Sequence, residues 1–142
     1  MDPRDFQQLA ERLARGTAPA DRRTAIGRAY YAAFNVAADG LRSFGFPIAR
    51  AAPAHGEINY CLWNSGNPTL TAQAQRLEFL RRMRNRADYE LNQNDVENPT
   101  NVRKAIEAGR EFIQSVDTVL TGPERASIHA TIAKWRRENG YP

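Results

Sequence analysis

The chain has 142 residues, of which 42% are hydrophobic and 25% are charged, and its formal net charge is +4. These values are typical of a single globular domain with its own core, and the one cysteine, Cys61, excludes an intrachain disulfide. No apolar run approaches the roughly 18 residues that span a membrane, and no basic-then-apolar leader is visible. We therefore expect a soluble, unprocessed cytoplasmic protein in which Cys61 is a packing residue rather than a reactive thiol.

Arginine carries most of the positive charge. A planar guanidinium can hold a phosphate with two parallel hydrogen bonds, which a lysine ammonium cannot do. An excess of +4 is nevertheless modest, so net charge alone favours a nucleic-acid partner only slightly.

Two helices are predicted in the first third of the chain. The first begins at Asp2-Pro3, a favourable helix start, and ends at Gly16. The second begins near Pro19 and runs to about Gly45. Its apolar stripe, with spacings of three and four, consists of Ile26, Ala29, Tyr30, Ala33, Ala37, Leu41 and Phe44. Because many of these side chains are small and allow close approach, we expect this to be the central helix.

The middle of the chain predicts a connection followed by a short helix and a long one. The connection covers 46–54, and the short helix runs from His55 to Trp63. Thr69 is placed to cap the long helix, which continues to about Leu91. Its predicted buried stripe consists of Leu77, Leu80, Met83, Ala87 and Leu91.

The last third predicts two more helices and completes an all-α fold. The clearest amphipathic pattern runs from Val102 to Leu120, where Phe112 and Val116 face the core. A terminal helix follows, with Ile128, Ile132 and Trp135 inward. Since no stretch alternates with period two, we predict an antiparallel bundle of four main helices plus short helices. One domain covers 1–142, with 121–142 as a C-terminal helical extension.

The run LRRMRNRADYEL, from Leu80 to Leu91, has two interpretations. Helical geometry puts Arg84 at the edge of the buried stripe, Arg81 and Asp88 next to it, and Tyr89 on the far side. The run is either a solvated face with an Arg84–Asp88 ion pair, or a site for RNA or a nucleotide in which Asn85 and Tyr89 assist the arginines.

Three segments give the chain a resemblance to a known family. They are RTAIGRAYYAAFNVAADGL (23–41), AHGEINYCLW (54–63) and LRRMRNRADYEL (80–91). Together, over roughly residues 5 to 120, they resemble the HEPN-domain proteins, and in particular the short prokaryotic members often encoded beside nucleotidyltransferases. The resemblance implies a helical bundle, an RNA or nucleotide ligand, a homodimer, and a nucleotidyltransferase antitoxin as a candidate partner.

The resemblance also implies roles for individual residues. Active HEPN ribonucleases have Arg, four to six residues, then His, and Arg84-Asn85 matches the first half of that motif. Tyr89 stands where the histidine is expected, and an ordinary tyrosine is a poor base at neutral pH. The candidate catalytic residues are therefore Arg84, Asp88, Tyr89 and His55. The candidate phosphate-binding residues are Arg81, Arg84, Asn85 and Arg86.

His55 has two interpretations of its own. It follows Pro53-Ala54 and precedes Gly56, which fits a turn or helix-cap histidine. Alternatively it folds toward Arg84 and supplies the missing imidazole. We interpret His129 as a surface residue, and two scattered histidines without a cysteine cluster predict no metal site and no cofactor.

Three functional hypotheses follow from these patterns. The first is a metal-independent HEPN endoribonuclease, acting as a toxin or in defence, with a degenerate Arg-x4-Tyr motif in place of Arg-x4-His. The second is a non-catalytic HEPN subunit that binds RNA, a nucleotide or a nucleotidyltransferase, which in related pairs modifies a motif tyrosine. The third is a plain helical scaffold whose arginine face serves only dimer packing.

Overall fold

The computed structural model describes all 142 residues and confirms the all-α class. It contains six α-helices, a 3₁₀ turn at Asn94–Glu97 and no strand. The helices are α1 (Arg4–Ala14), α2 (Pro19–Ser43), α3 (Ala54–Trp63), α4 (Pro68–Tyr89), α5 (Pro99–Leu120) and α6 (Arg125–Glu138). None of these helices combines the length and the apolar character needed to cross a membrane.

Helix α2 is the centre of the bundle and packs against α1, α3, α4 and α5. The predicted stripe of α2 is buried, and its alanines let the neighbouring helices approach closely. Leu77, Leu80, Met83 and Ala87 of α4 are buried in the same cluster as Phe112 and Val116 of α5. The predicted core between α2, α4 and α5 is therefore confirmed in these residues.

Two details of α4 differ from the sequence prediction. Its N-cap is Asn67 rather than Thr69, because the Asn67 side chain accepts a hydrogen bond from the Leu70 N–H (3.0 Å) and Pro68 occupies the first helical turn. The helix ends at Tyr89, so the buried stripe does not reach Leu91, whose side chain is 67% exposed. The prediction that Leu91 is a core residue is wrong because the helical period was extended past the helix end.

Arg23 fixes the end of α4 against the start of α2. Its guanidinium is largely buried and donates to the carbonyl oxygens of Ala87 (2.9 Å) and Gln93 (3.0 Å). Its Nε donates to Glu97 Oε2 at 2.9 Å. The last carbonyls of a helix have no partner inside the helix, and here a buried arginine satisfies one of them and holds the following turn.

A second buried arginine joins the C-terminal helix to α3. Arg136 of α6 is 1% exposed and pairs with Glu57 of α3 at 2.7 Å, and it also donates to the Sγ of Cys61 at 3.5 Å. Cys61 is buried, and burial raises the pKa of its thiol. Ile128 and Ile132 of α6 belong to the same core cluster as the four packed helices. Helix α6 therefore helps to set the position of α3.

Candidate functional site

A pocket of about 410 Å³ opens between α2, the start of α3 and the second half of α4. We call it the arginine pocket, because four arginines and no acidic residue line it. Its lining consists of Tyr30, Tyr31, Phe34, Asn35 and Arg42 from α2, Arg50, Ala51 and Ala52 from the connection, His55 from α3, and Arg81, Arg84 and Asn85 from α4. Four guanidinium groups on one concave surface form a site suited to an anion.

A larger groove of about 750 Å³ lies between α4 and α5, but its chemistry is less specific. Its walls carry both signs of charge, including Arg76 and Glu111, which pair with each other at 3.0 Å. Basic side chains that already face carboxylates in the same groove give no preference for an anionic ligand. The arginine pocket is therefore the better candidate site, although it is the smaller of the two.

The helical period of α4 divides the arginine run between two sides of the helix. Arg81, Arg84 and Asn85 line the arginine pocket. Arg86 lies outside it, where its Nη2 donates to both carboxylate oxygens of Asp95 at 2.7 Å. These hydrogen bonds raise the pKa of Arg86 and lower the pKa of Asp95. The structure thus brings together three of the four predicted phosphate-binding residues and places Arg86 elsewhere.

Arg84 is held by neighbours on its own helix. Its Nε lies 3.0 Å from Asp88 Oδ2, which is the ion pair expected from the four-residue spacing, and its Nη1 donates to Asn85 Oδ1 at 3.2 Å. The guanidinium carbon lies 5.9 Å from the ring centroid of Tyr30 and 5.8 Å from that of Tyr89. Tyr89 itself is 71% exposed and is not part of the pocket lining. Asp88 therefore orients Arg84, whereas Tyr89 flanks it on the outside.

His55 lies in the first turn of α3 and lines the arginine pocket with Arg81 and Arg84. It is buried, its Nδ1 lies 2.9 Å from the hydroxyl oxygen of Tyr30, and its Nε2 lies 3.1 Å from Oε2 of Glu78. Burial lowers the pKa of His55, and the hydrogen bond to Glu78 only partly offsets this effect. His55 and Arg84 therefore line the same pocket, although they lie on different helices.

Tyr30 and Glu78 are candidate site residues that sequence reasoning did not select. Tyr30 was expected to be a core residue, and it is buried, but its ring also forms part of the pocket wall. Burial raises the pKa of Tyr30, and the charges of Arg81 and Arg84 oppose that effect. Two features of the sequence could have identified these residues. A tyrosine on a buried stripe needs a hydrogen-bond partner for its hydroxyl, and Glu78 lies one helical turn before Arg81, where the two side chains can pair.

Two further arginines of the pocket were not predicted as site residues, because they lie far in sequence from the arginine-rich segment 80–91. Arg42 donates to the carbonyl oxygens of Ile48 and Ala49 at 3.2 Å and so shapes the connection between α2 and α3. Arg50 lies on that connection. His129, expected at the surface, is exposed and stacks on Phe44 with 4.9 Å between ring centroids, away from the pocket.

Comparison of the chain with family models, with curated proteins and with solved structures gives no significant match. The chemistry of the arginine pocket therefore rests on the residues that line it.

Proposed function

We propose that the arginine pocket binds the phosphate backbone of single-stranded RNA and that the protein is a metal-independent endoribonuclease of the HEPN type. The observation that carries this proposal is the convergence of four arginines and a buried histidine on one pocket whose lining includes no carboxylate. RNA backbone recognition needs the positive charge, and metal-free cleavage needs a group that can move a proton beside a held phosphate.

The arginines are positioned to hold a phosphate rather than merely to attract one. Arg84 forms an ion pair with Asp88 and donates one N–H to Asn85, and a guanidinium has about five N–H donors in a rigid plane. The remaining donors are available to a phosphate oxygen, while the two contacts keep the side chain in one orientation. Arg81 approaches Glu78 only at 3.9 Å, which leaves its guanidinium largely available.

The size and the aromatic rim of the pocket support a nucleic-acid strand. A volume of about 410 Å³ lies in the range of small-ligand sites and has room for about one nucleotide. Tyr31, which is 42% exposed, and Phe34 stand in the wall beside the arginines. Aromatic rings that line a nucleic-acid site can stack with bases of any sequence, and Tyr31 is the more exposed of the two.

The reaction proposed for this site is cleavage by the RNA's own 2′-hydroxyl. The 2′-oxygen attacks the adjacent phosphorus, the P–O5′ bond breaks, and a 2′,3′-cyclic phosphate and a 5′-hydroxyl are formed. Arg81 and Arg84 would stabilise the charge that develops on the phosphate oxygens. His55 supplies the proton-handling group, and Asp88 acts through Arg84.

The test uses a fluorescently labelled single-stranded RNA in EDTA, with binding followed by anisotropy and cleavage by gel electrophoresis. Arg84→Ala should weaken RNA binding at least about 10-fold. It should also reduce the slope of log affinity against log salt concentration by about the amount that one phosphate contact contributes. Arg84→Lys should also lose most activity, because a point charge does not replace the planar fork. Arg82→Ala is the matched control, since Arg82 is an exposed arginine of α4 outside the pocket.

Equal binding and cleavage by Arg84→Ala and Arg82→Ala would refute the proposal. Loss of activity only when EDTA is present would refute its metal-independent part.

A second candidate function, a non-catalytic subunit of a nucleotidyltransferase pair, is favoured by one observation. Tyr89 is 71% exposed next to Arg84 and has no role inside the pocket, so its hydroxyl is accessible to a partner enzyme. RNA binding without cleavage, together with nucleotide transfer to Tyr89 by the candidate partner, would favour this function over the ribonuclease.

A further inference from the structure

Three side chains from three helices form a continuous hydrogen-bonded series at the wall of the arginine pocket. The Tyr30 hydroxyl oxygen lies 2.9 Å from Nδ1 of His55, and Nε2 of His55 lies 3.1 Å from Oε2 of Glu78. Tyr30 and His55 are both buried, with 9% and 7% of their surface exposed, and both line the pocket. Glu78 is more exposed and closes the series from α4.

The chemistry of the three groups fixes the direction of the hydrogen bonds. A carboxylate can only accept, so Nε2 of His55 carries a proton and donates it to Glu78. The second nitrogen of a neutral imidazole is an acceptor, so the Tyr30 O–H donates to Nδ1. Burial lowers the pKa of His55 and so favours this neutral form. A hydroxyl bonded to a histidine that is oriented by a carboxylate is the arrangement that activates hydroxyl groups in hydrolases.

We propose that Tyr30, His55 and Glu78 form a proton relay in which Tyr30 takes the proton from the attacking ribose 2′-hydroxyl. This inference rests on the proposed ribonuclease function and adds the residue that meets the ribose. As the 2′-oxygen bonds to phosphorus, its proton passes to the Tyr30 oxygen, and the phenolic proton of Tyr30 passes to Nδ1 of His55. The imidazolium that forms is stabilised by Glu78. The P–O5′ bond breaks, the departing oxygen takes a proton from water, and the hydroxide that remains is neutralised by the proton that the relay releases when His55 returns to its neutral form.

Geometry favours Tyr30 over His55 as the group that meets the substrate. Both ring nitrogens of His55 are engaged with protein partners, so neither presents a lone pair to the pocket. The Tyr30 oxygen donates one hydrogen bond and keeps acceptor capacity. The Tyr30 ring also lies 5.9 Å from the guanidinium carbon of Arg84, so a phosphate on Arg84 would lie close to Tyr30.

The charged groups around the relay decide where its protons reside. Burial raises the pKa of Tyr30, against the effect of Arg81 and Arg84, so a lasting phenolate is disfavoured and the proton must be passed to His55. His55 faces Glu78 and Arg81 from α4 and Tyr30 from α2. Arg81 disfavours the imidazolium, and the other charged groups that line the pocket are the arginines Arg42, Arg50 and Arg84. Glu78 is therefore the group that stabilises the transient imidazolium of His55, through its hydrogen bond and its negative charge.

The experiment separates binding from chemistry with two RNAs of the same sequence. One RNA is cleavable, and the other carries 2′-deoxyribose at the cleaved position and reports binding only. Tyr30→Phe should lower the cleavage rate at least about 100-fold and leave the affinity for the deoxy-substituted RNA within about twofold. Tyr60→Phe is the matched control, because Tyr60 is an exposed tyrosine of α3 outside the pocket, and it should cleave at the wild-type rate.

Glu78→Gln supplies an independent readout on a more exposed position, where folding is less at risk. Glutamine keeps an acceptor for Nε2 but removes the charge that favours the imidazolium. The acid limb of the plot of cleavage rate against pH should therefore move to lower pH, and the plateau rate should fall. A residue with a merely structural role would leave the position of that limb unchanged.

The outcomes distinguish the relay from the function on which it rests. If Tyr30→Phe cleaves at the wild-type rate while Arg84→Ala does not, the relay is refuted and the ribonuclease pocket stands. An unmoved acid limb in Glu78→Gln also overturns the relay alone. If the wild-type protein binds RNA without cleaving it, or does not bind it, the ribonuclease and the relay are both refuted.

Discussion

Replacing Arg23 with methionine tests whether a single buried side chain holds the end of α4. Methionine keeps most of the apolar stem of arginine and removes every hydrogen bond of the guanidinium. Three short contacts are lost, to the carbonyl oxygens of Ala87 (2.9 Å) and Gln93 (3.0 Å) and to the carboxylate of Glu97 (2.9 Å). The change also leaves the partly buried Glu97 without its cation.

The expected loss of stability follows from these contacts. Hydrogen bonds to a charged group are each worth about 1.5–3 kcal/mol, but they are not additive when they share one side chain. Removing one partner of a buried ion pair typically costs about 3–5 kcal/mol, and we expect Arg23→Met to fall in that range. For a chain of this size, such a loss lowers the melting temperature by about 10–20 °C.

Urea denaturation followed by circular dichroism measures the free energy of unfolding, and amide hydrogen exchange locates the effect. Exchange should accelerate mainly in 86–97, the last turn of α4 and the segment that Arg23 holds. Arg103→Met is the control, because the exposed Arg103 side chain forms one hydrogen bond, to Thr100 at 3.4 Å, and no ion pair; its effect should stay within about 0.5 kcal/mol. A loss below about 1 kcal/mol for Arg23→Met would refute the reasoning.

Three further predictions concern the core, the assembly and the pH response. Leu80 has no exposed surface, so Leu80→Ala should cost about 2–5 kcal/mol in urea denaturation, and a loss near zero would contradict its burial. We expect a two-fold dimer through the face from Arg81 to Tyr89, so light scattering should give twice the 16.0 kDa chain mass for the wild type and the single-chain mass for Tyr89→Glu. Burial lowers the pKa of His55 below 6.5, so the unfolded chain gains a proton there before the folded chain does. The free energy of unfolding should therefore fall as the pH drops from 6.5 toward the lowered pKa, and this fall should be smaller in His55→Asn.

The core was predictable from sequence because burial follows the period of the helix. Leu77, Leu80 and Met83 are spaced so that one face of α4 is apolar, and all three are buried. The same period placed Arg84 beside that face and Tyr89 opposite it, and the structure agrees with both positions. Periodicity gives no information on where a helix ends, and for that reason Leu91 was assigned to the core wrongly.

The composition of the pocket was less predictable because it depends on contacts between distant segments. The direction of His55 is set by the docking of α3, to which the pair between Glu57 and Arg136 contributes. No local pattern around His55 encodes a partner at the far end of the chain. Likewise the partner of the Tyr30 hydroxyl is on another helix, and a stripe of apolar positions identifies the buried ring but not the group that its oxygen contacts.

Two groups of arginines in this chain differ in their contacts. Arg23 and Arg136 are buried and surrounded by carboxylate or carbonyl oxygens, so their charge is neutralised within the fold. Arg81 and Arg84 contact carboxylates on one side only and present the other side to the pocket. The small net charge of +4 is therefore compatible with a locally cationic pocket, because the positive potential at the pocket is set by the few guanidinium groups that line it rather than by the sum over the whole surface.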